Sequence, residues 1–389
     1  MRGVLSNLIE VNHSKIKETN RKKIIALLLE KNEITKLDIS RILDISITTV
    51  STNITELKNE GIVEDVRSLE STGGRKAIAI KLDENCRYSI GVALTPNHIK
   101  IALVNLKKEI IENIRVRHKN NGIENLINLT KENIDILMKK YNLDSEKVLG
   151  IGFSLPGTVD FKESIVKYSY LLGIKDFNLK EKFEYLNVPI YVDNEANLSA
   201  YYEFLNRKDL VKNLLYVSIT DGLGLGIIIN GKIYRGDNNS SGEFGHTKVS
   251  INGKKCKCGA KGCLEAYTSM NALVDSYNEV SLENISDIDE FEELYLQNDI
   301  ATKKVLEKYL KILGTGISNL IMLLDPNTII IGGDINNLLS DKMDVLKKNI
   351  YKDNLFTDEN SCTIGMAGFK EAYLLGAAMM PIEEFLEIK

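Results

Sequence analysis

Residues Gly242–Glu265 read GEFGHTKVSINGKKCKCGAKGCLE, and they identify the architecture better than any other part of the chain. The spacing His246-x9-Cys256-x-Cys258-x4-Cys263 brings one imidazole and three thiols into a single glycine-containing loop. Three thiolates and one imidazole complete the tetrahedral ligand set of a structural Zn²⁺ ion and leave no position open. The spacing therefore predicts a structural zinc site, with free structural thiols or a redox pair as the alternatives. Four lysines of the loop would favour the thiolate form: Lys254, Lys255, Lys257 and Lys261.

The composition is that of an ordinary globular protein. The chain has 389 residues, which exceeds one compact core and predicts two or three domains. The formal net charge of −4 argues against a protein coated with positive charge for nucleic acid. Five cysteines spread over this length do not suggest a disulfide scaffold. Because we see no apolar run of 18 residues and no secretory signal, we expect a cytoplasmic protein without a membrane partner.

The first eighty residues differ from the remainder in charge and in pattern. They carry thirteen Lys and Arg against eleven Asp and Glu, a net charge of +2, which leaves −6 for the rest of the chain. Apolar periodicity predicts a first helix from about Thr19 to Glu30. Thr35 and Asp38 predict a capping box for a second helix, and Ser46 is expected to be the N-cap of a third. The third helix should end near Gly61, because glycine suits the left-handed residue that follows a helix.

These helices and the two β-like runs that follow them predict a winged helix-turn-helix domain at residues 1–82. The runs Ile62–Asp65 and Ala77–Lys81 flank a flexible basic tip, as in a β-hairpin. Small hydroxyl side chains on the third helix can approach base edges, and basic residues on the wing can reach phosphates. A helical interaction module with solvated hydroxyls is the alternative. The predicted contacts to double-stranded operator DNA are Thr48, Thr49, Ser51, Thr52 and Asn53 on the helix, and Arg75 and Lys76 on the wing.

The remainder of the chain predicts two α/β lobes, because strand-like and helical runs alternate there. Tyr88–Leu94 and Leu214–Ile219 are predicted strands, and Ile123–Lys140 is a predicted helix. We expect a first lobe at 86–200 and a second at 201–389 that carries the zinc loop, with a C-terminal helix that can return to the first lobe. Ligands of such folds bind in loops beyond the strand ends, often in a cleft between lobes.

The Gly-Glu-Phe-Gly-His segment that ends at His246 and the Cys-x-Cys-Gly-x-x-Gly-Cys-x-Glu segment that ends at Glu265 resemble the signature of the ROK family. This family contains repressors, open reading frames and sugar kinases. The resemblance covers nearly the whole chain, and the N-terminal winged helix is similar to the repressor branch, in the manner of xylose and N-acetylglucosamine repressors. It implies an actin-like, ribonuclease-H-like double lobe with a sugar site in the cleft.

The resemblance also implies roles for single residues. Glu243 and His246 match a segment that contacts sugar hydroxyls, and the histidine does so while it ligates zinc. The pair Asn194 and Glu195 matches the Asn-Asp pair of the kinases, in which the Asp is the general base. A loop that contains Gly157 lines the sugar pocket in the family. The sugar-binding residues implied in this way are Gly157, Asn194, Glu195, Glu243, His246 and Glu265.

Departures from the kinase pattern bear on the function. Kinases of the family begin the lobe with an Asp-x-Gly-Gly-Thr phosphate loop, where this chain has Ala93 in place of the Asp and Pro96 in place of a glycine. Pro96 removes a backbone donor. Glu195 replaces the catalytic Asp, and its extra methylene moves the carboxylate by about 1 Å, which can cost on the order of 10²-fold in rate. Leu171 replaces an amide that often lies beside the sugar pocket.

These departures predict a sugar-responsive transcriptional regulator without enzyme activity, most simply a repressor that a monosaccharide such as xylose releases from its operator. A homodimer is expected because two half-sites add to the affinity of a small winged helix, and a tetramer is the alternative. Two other functions stay open at this point. One is an ATP-dependent sugar kinase with an added DNA-binding domain. The other is a regulator that responds to a phosphosugar or to a partner protein.

Overall fold

A computed structural model describes residues 17–66, 78–118, 122–352 and 356–386 of the chain. Within these ranges, none of the helices has both the length and the apolar character that crossing a bilayer requires. The predicted wing contacts Arg75 and Lys76 lie outside the described residues.

The N-terminal domain folds as the periodicity predicts. Its helices are α1 (17–30), α2 (Lys36–Leu43) and α3 (Ile47–Asn59). Its three strands form one antiparallel sheet in the order β1-β3-β2: β1 (Ile34–Thr35), β2 (Val63–Val66) and β3 (Ala79–Leu82).

Local capping sets the ends of these helices. The Thr35 hydroxyl accepts a hydrogen bond from the Asp38 amide, and the Ser46 hydroxyl accepts one from the Thr49 amide. Gly61 follows α3 with φ of +69°. The capping residues and the short turn were therefore predicted correctly, and a winged helix-turn-helix is present.

The first five-stranded sheet has the order β11-β7-β4-β5-β6. Its strands are β4 (Tyr88–Leu94), β5 (His98–Asn105), β6 (Ile110–Arg117), β7 (Val148–Leu155) and β11 (Ile190–Asn194). Three of them form an antiparallel meander, and β7 and β11 continue parallel to β4. Helix α4 (Ile123–Lys140) and α5 (Leu179–Phe183) lie along this part of the chain, and a small antiparallel sheet extends from it: β8 (Thr158–Asp160), β9 (Ile165–Ser169) and β10 (Ile174–Asn178).

The second five-stranded sheet repeats this topology in the order β14-β13-β12-β15-β16. Its strands are β12 (Leu214–Ile219), β13 (Leu223–Ile229), β14 (Lys232–Ile233), β15 (Thr328–Gly333) and β16 (Thr363–Met366). The helices that accompany it are α7 (Glu265–Thr268), α8 (Met270–Asn278), α9 (Ile288–Leu296), α10 (Ile300–Leu324), α11 (Asn336–Leu339) and α12 (Met343–Tyr351). Two sheets of this order confirm the predicted actin-like, ribonuclease-H-like fold.

Helices α6 (Glu195–Leu205) and α13 (Ala372–Leu386) lie between the two sheets. A Cβ added to Gly376 of α13 would lie 2.2 Å from the Leu198 carbonyl oxygen of α6. A Cβ added to Gly226 of β13 would lie 2.2 Å from the Ala196 carbonyl oxygen, also in α6. Helix α6 therefore contacts α13 on one side and the second sheet on the other with no room for additional side chains. Its N-terminus opens into the cleft between the sheets.

Candidate metal centre and binding cleft

The four predicted metal ligands converge. One potential ligand atom from each of His246, Cys256, Cys258 and Cys263 lies within 4.8 Å of the other three. The Sγ atoms of Cys258 and Cys263 are 3.7 Å apart, and Cys256 Sγ is 3.8 Å from His246 Nδ1. Tetrahedral ligands at Zn–S distances of about 2.3 Å are separated by roughly 3.8 Å, so the spacing fits one ion of that size.

Short backbone contacts shape the ligand loop. The Cys256 amide donates to the Ala260 carbonyl, and the Gly259 amide donates to the Cys256 carbonyl. Gly262 has φ of +75°, and a Cβ there would lie 1.6 Å from the Ser250 carbonyl oxygen. The loop consequently turns back on itself and presents Cys256, Cys258 and Cys263 to one point.

The cation nearest the thiols is not one of the four predicted lysines. Lys248 Nζ lies 3.0 Å from Cys263 Sγ and donates a hydrogen bond to it. Lys254 instead bonds Ser276 and Glu279 on a neighbouring helix. Sequence reasoning missed Lys248 because the turn that brings it beside Cys263 is a pairing of residues 15 positions apart.

His246 joins the metal cluster to the cleft. Its Nδ1 faces Cys256, whereas its Nε2 lies 3.8 Å from Glu243 Oε2. Glu265 begins helix α7, and its Oε2 accepts a hydrogen bond of 3.0 Å from the Leu223 amide. A metal held by this loop would thus fix the ring orientation of His246 and the position of the segment that leads into Glu265.

A cleft of about 230 Å³ lies beside this loop, between the two sheets. Oxygen and nitrogen groups and two tyrosine rings line it, which suits a small polyhydroxyl ligand. All six residues that the family resemblance implied as sugar contacts line the same cleft: Gly157, Asn194, Glu195, Glu243, His246 and Glu265.

Asn194 and Glu195 are held by the protein itself. Asn194 Oδ1 caps α6 through the Ala196 and Asn197 amides, and its Nδ2 donates to the Gly157 carbonyl at 2.8 Å. Asn194 therefore fixes the Gly157 loop to the helix. Glu195 Oε1 accepts a hydrogen bond of 2.6 Å from Ser218 of the second sheet, and burial raises the pKa of Glu195 to about 7.

Cleft residues outside the predicted set include members of the small β8–β10 sheet and residues 220 and 222–225, which follow β12. Thr158 and Tyr168 lie on the strands of the small sheet, and Tyr170 follows its second strand. Both tyrosines are more than half exposed, so each ring offers a face to a ligand. Periodicity offers no usable signal for these tyrosines, because the strands around them are only three to five residues long and were not identified.

Ala93, near the end of β4 in the first sheet, has a buried lysine as its neighbour. Ala93 pairs in register with Lys100 of β5, whose side chain is only 9% exposed. Lys100 Nζ donates to the Tyr373 hydroxyl and lies 3.0 Å from Glu371 Oε1. An ammonium group paired within the protein therefore lies beside Ala93, the position at which the family resemblance implied a metal-holding Asp in the kinases.

Helix α3 presents part of the predicted DNA-reading surface. Thr48 and Thr52 are exposed, while Thr49 and Ser51 are half-buried. The prediction for Asn53 is wrong: its side chain is buried, and its Nδ2 donates to the Thr49 carbonyl. The amide is used inside the domain because it satisfies a backbone group, so it is unavailable to a base edge.

Comparison with known proteins agrees with this architecture. The model of the ROK family matches residues 89–381. The chain belongs to the ROK family. A model described as winged helix-turn-helix DNA-binding matches residues 17–64, so this ROK chain also carries a DNA-binding domain.

The full-length likeness is to regulators. The xylose repressor of Bacillus spizizenii is 29% identical, over 96% of this chain and 97% of the repressor. The crystal structure of a ROK family transcriptional regulator, a homologue of the Escherichia coli MLC protein, has a TM-score of 0.79 and 24% identity, and the match covers 95% of this chain and 96% of that one. A ROK glucokinase from Streptomyces griseus, solved with glucose and AMPPNP, has a TM-score of 0.64 and 24% identity, with 75% of this chain and 98% of the kinase covered.

Proposed function

We propose that this ROK protein is a sugar-responsive DNA-binding repressor without kinase activity. The observation that carries the proposal is the presence, in one chain, of a winged helix-turn-helix and a cleft in which Glu243 and Glu265 lie beside a metal-ligand cluster that includes His246. The likeness to a xylose repressor over almost the full length of both chains supports a monosaccharide effector, with D-xylose as the first candidate.

The metal in this proposal is structural zinc. His246, Cys256, Cys258 and Cys263 would hold it in a closed tetrahedral set, so it supplies rigidity and no reactive position. Glu243 and Glu265 then accept hydrogen bonds from sugar hydroxyls, and His246 Nε2 bonds a third. The tyrosines of the β8–β10 sheet cover the apolar face of the sugar ring.

The remaining cleft residues orient the ligand. Gly157 lets the loop after β7 pack closely against β9 at the edge of the cleft, because a Cβ there would lie 2.3 Å from the Tyr168 carbonyl oxygen. Asn194 fixes that loop, and Glu195 offers its second carboxylate oxygen to the ligand. A sugar that contacts both sheets favours one of the two arrangements of the cleft, open or closed. It can shift the equilibrium between them only by the difference in its affinity for the two arrangements.

DNA binding is assigned to α3 and to the wing. Thr48 and Thr52 are exposed for base contacts, with Thr49 and Ser51 beside them. Arg75 and Lys76 remain proposed phosphate contacts of the wing. Two half-sites imply a homodimer, and we propose that it acts in the cytoplasm on double-stranded operator DNA. The division into residues 1–82, 86–200 and 201–389 is kept as the proposed domain organisation, with α13 returning to the first sheet.

A kinase is the second candidate, and one observation favours it: a carboxylate with a pKa near 7 is suited to general-base catalysis. Two others oppose it. Ser218 already occupies one oxygen of Glu195, and the ion pair of Lys100 with Glu371 replaces the metal-holding Asp at Ala93. Without that Asp and the glycines of the phosphate loop, little remains to hold Mg²⁺ and phosphate together.

The test is to select DNA sequences that the purified, zinc-loaded protein binds, and then to titrate the selected duplex at moderate salt with and without D-xylose. We expect sequence-selective binding that D-xylose weakens at least about tenfold, a coupling of about 1.4 kcal/mol. The same preparation should show no sugar-dependent ATP turnover. Turnover with any pentose or hexose, or DNA binding without sequence preference, would overturn the proposal.

A further inference from the structure

A largely buried ion pair links the two sheets beside the residues that line the cleft. Arg235 follows β14 of the second sheet, and its guanidinium donates to the carboxylate of Asp193 at the end of β11 in the first sheet. The Arg235 side chain is 20% exposed and that of Asp193 is 3% exposed. The guanidinium also lies 4.1 Å from the ring centroid of Phe161, in the turn after β8. Arg235 of the second half of the chain is therefore held by the carboxylate of Asp193 and the ring of Phe161, which both belong to the half that contains the first sheet.

Arg235 lies at the start of a segment whose later residues, from Asn239 to His246, contribute to the lining of the cleft. The Ser241 amide donates to the Arg235 carbonyl, and the Ser241 hydroxyl donates to the Tyr234 carbonyl, so residues 234–241 close into a compact loop. This loop continues directly into Glu243 and His246. Its position relative to the first sheet is therefore tied to the side chain of Arg235.

The other end of the contact is equally well anchored. Asp193 Oδ1 accepts hydrogen bonds from the Asn194 amide at 2.7 Å and from Asn197 Nδ2 at 3.1 Å, while Oδ2 is left for Arg235. Asn194 in turn caps α6 and bonds Gly157. The pair thus joins the two walls of the cleft at the point where α6 begins.

We propose that Arg235, Asp193 and Phe161 form a latch that holds the cleft closed and sets how much effector is needed to change DNA binding. The inference rests on the proposed function for its effector, but not for the latch itself. Removing Arg235 leaves a buried carboxylate without its cation, whereas opening the cleft lets water reach that carboxylate. The open arrangement is consequently favoured in the variant. A ligand that binds only the closed cleft then has a lower apparent affinity, reduced in proportion to the fraction of protein that is closed.

The latch predicts a pattern that simple damage would not give. In the proposed switch the effector binds the closed cleft, and closure weakens DNA binding. A variant that opens the cleft should therefore bind operator as well as the wild type or better, and it should need more sugar for release. A merely destabilised protein would lose both activities together. Arg235→Lys keeps the charge but loses the planar stacking on Phe161, and it should lie between Arg235→Ala and the wild type.

The first experiment is hydrogen–deuterium exchange on the full-length protein without DNA or sugar. For Arg235→Ala we expect at least about tenfold faster exchange both in residues 234–246 and in residues 156–165, because the two walls separate. Asp193→Asn should act in the same direction, and the double variant should exceed neither single variant by more than about twofold, since the two residues act through each other. Faster exchange in 234–246 alone, or none, would overturn the latch.

Arg207 provides the matched control. It forms an arginine–carboxylate pair of similar burial with Glu203, 25% and 0% exposed, but both residues belong to α6 and the turn after it. Arg207→Ala should lower the melting temperature without faster exchange in the two cleft segments. An equal response to Arg207→Ala would overturn the latch, because general loosening would then explain the result.

The second experiment titrates operator release with D-xylose. For Arg235→Ala we expect the half-release concentration to rise at least about threefold while operator affinity without sugar is unchanged or higher. A parallel loss of both affinities would overturn the latch. If D-xylose releases no variant, including the wild type, the proposed effector fails, and the exchange pattern alone decides the latch.

Discussion

Replacing Glu195 with glutamine should make the protein more stable above neutral pH and change it little in acid. Glu195 begins α6 beside the cleft, and burial raises its pKa to about 7 from an ordinary value of 4.5, although a hydrogen bond from Ser218 opposes this effect. The other groups that face the carboxyl are Ser199 on α6, Asp334 after β15 and Lys100 on β5.

The magnitude follows from the difference in pKa between the folded and unfolded chain. At about 1.36 kcal/mol per pH unit, a rise from 4.5 to about 7 corresponds to about 3 kcal/mol. Because the residue is only half-buried and borders the cleft, water screens part of this, and about 2 kcal/mol is a fair expectation. Because folding raises the pKa of this carboxyl, the contribution to the free energy of unfolding is fully present below pH 4.5 and is lost as the pH rises to about 7.

Glutamine cannot ionise, so Glu195→Gln should not show this loss. The melting temperatures of the two proteins should nearly coincide at pH 4.5 to 5 and diverge by roughly 4–8 °C at pH 8, with glutamine the higher. Glu163→Gln, at an exposed carboxylate in the turn after β8, is the control and should show no such divergence. A difference between Glu195→Gln and wild type that is equal at both pH values would refute the reasoning.

Four other substitutions test the metal, the DNA surface and the packing of α6. Cys258→Ser should lower the bound zinc from one per chain to near zero, measured by elemental analysis, and should abolish the effect of D-xylose on DNA binding; an intact response in the zinc-free variant would contradict the assigned role. Thr52→Ala should change the base preference at one position of each half-site by about 1 kcal/mol, whereas Asn53→Ala should destabilise the winged helix and leave the selected sequence unchanged. Gly376→Ala should cost at least about 3 kcal/mol of unfolding free energy in denaturant titrations, because its Cβ would lie 2.2 Å from a carbonyl oxygen of α6; a cost below 1 kcal/mol would show that α13 can shift.

Features that depend on neighbouring residues could be predicted, and features that depend on distant pairing could not. Ser46 caps a group three positions away, and the four predicted metal ligands lie in one short segment, so their spacing alone indicated that they would cluster. Asn53 has the polarity of a surface residue and was assigned to the DNA face for that reason. Its burial depends on a hydrogen bond that polarity alone does not reveal.

Long-range partners explain the other omissions. Arg235 contacts Asp193, 42 positions earlier, and Lys100 contacts Glu371 and Tyr373, more than 270 positions later. Neither basic residue belongs to a motif, and an isolated Arg or Lys is usually solvated. Only the topology, in which α13 returns to the first sheet and the segment after β14 approaches the end of β11, brings these charges to their carboxylate partners.

The connection between the winged helix and the first sheet indicates how a cleft could act on DNA. The Asp83 amide donates to the Ile62 carbonyl of the winged helix, while the Leu106 amide donates to the Glu84 carbonyl, and Lys107 lies 2.7 Å from the Glu84 carboxylate. Residues 83–87, which link β3 of the winged helix to β4, are thus bonded to the winged helix through Asp83 and to the turn after β5 through Glu84. Because the link is short and bonded at both ends, a change in the angle between the two sheets carries the winged helix with the first sheet. In the proposed homodimer, the same change would alter the distance between the two reading helices, and half-site spacing is the property that a dimer of this kind recognises.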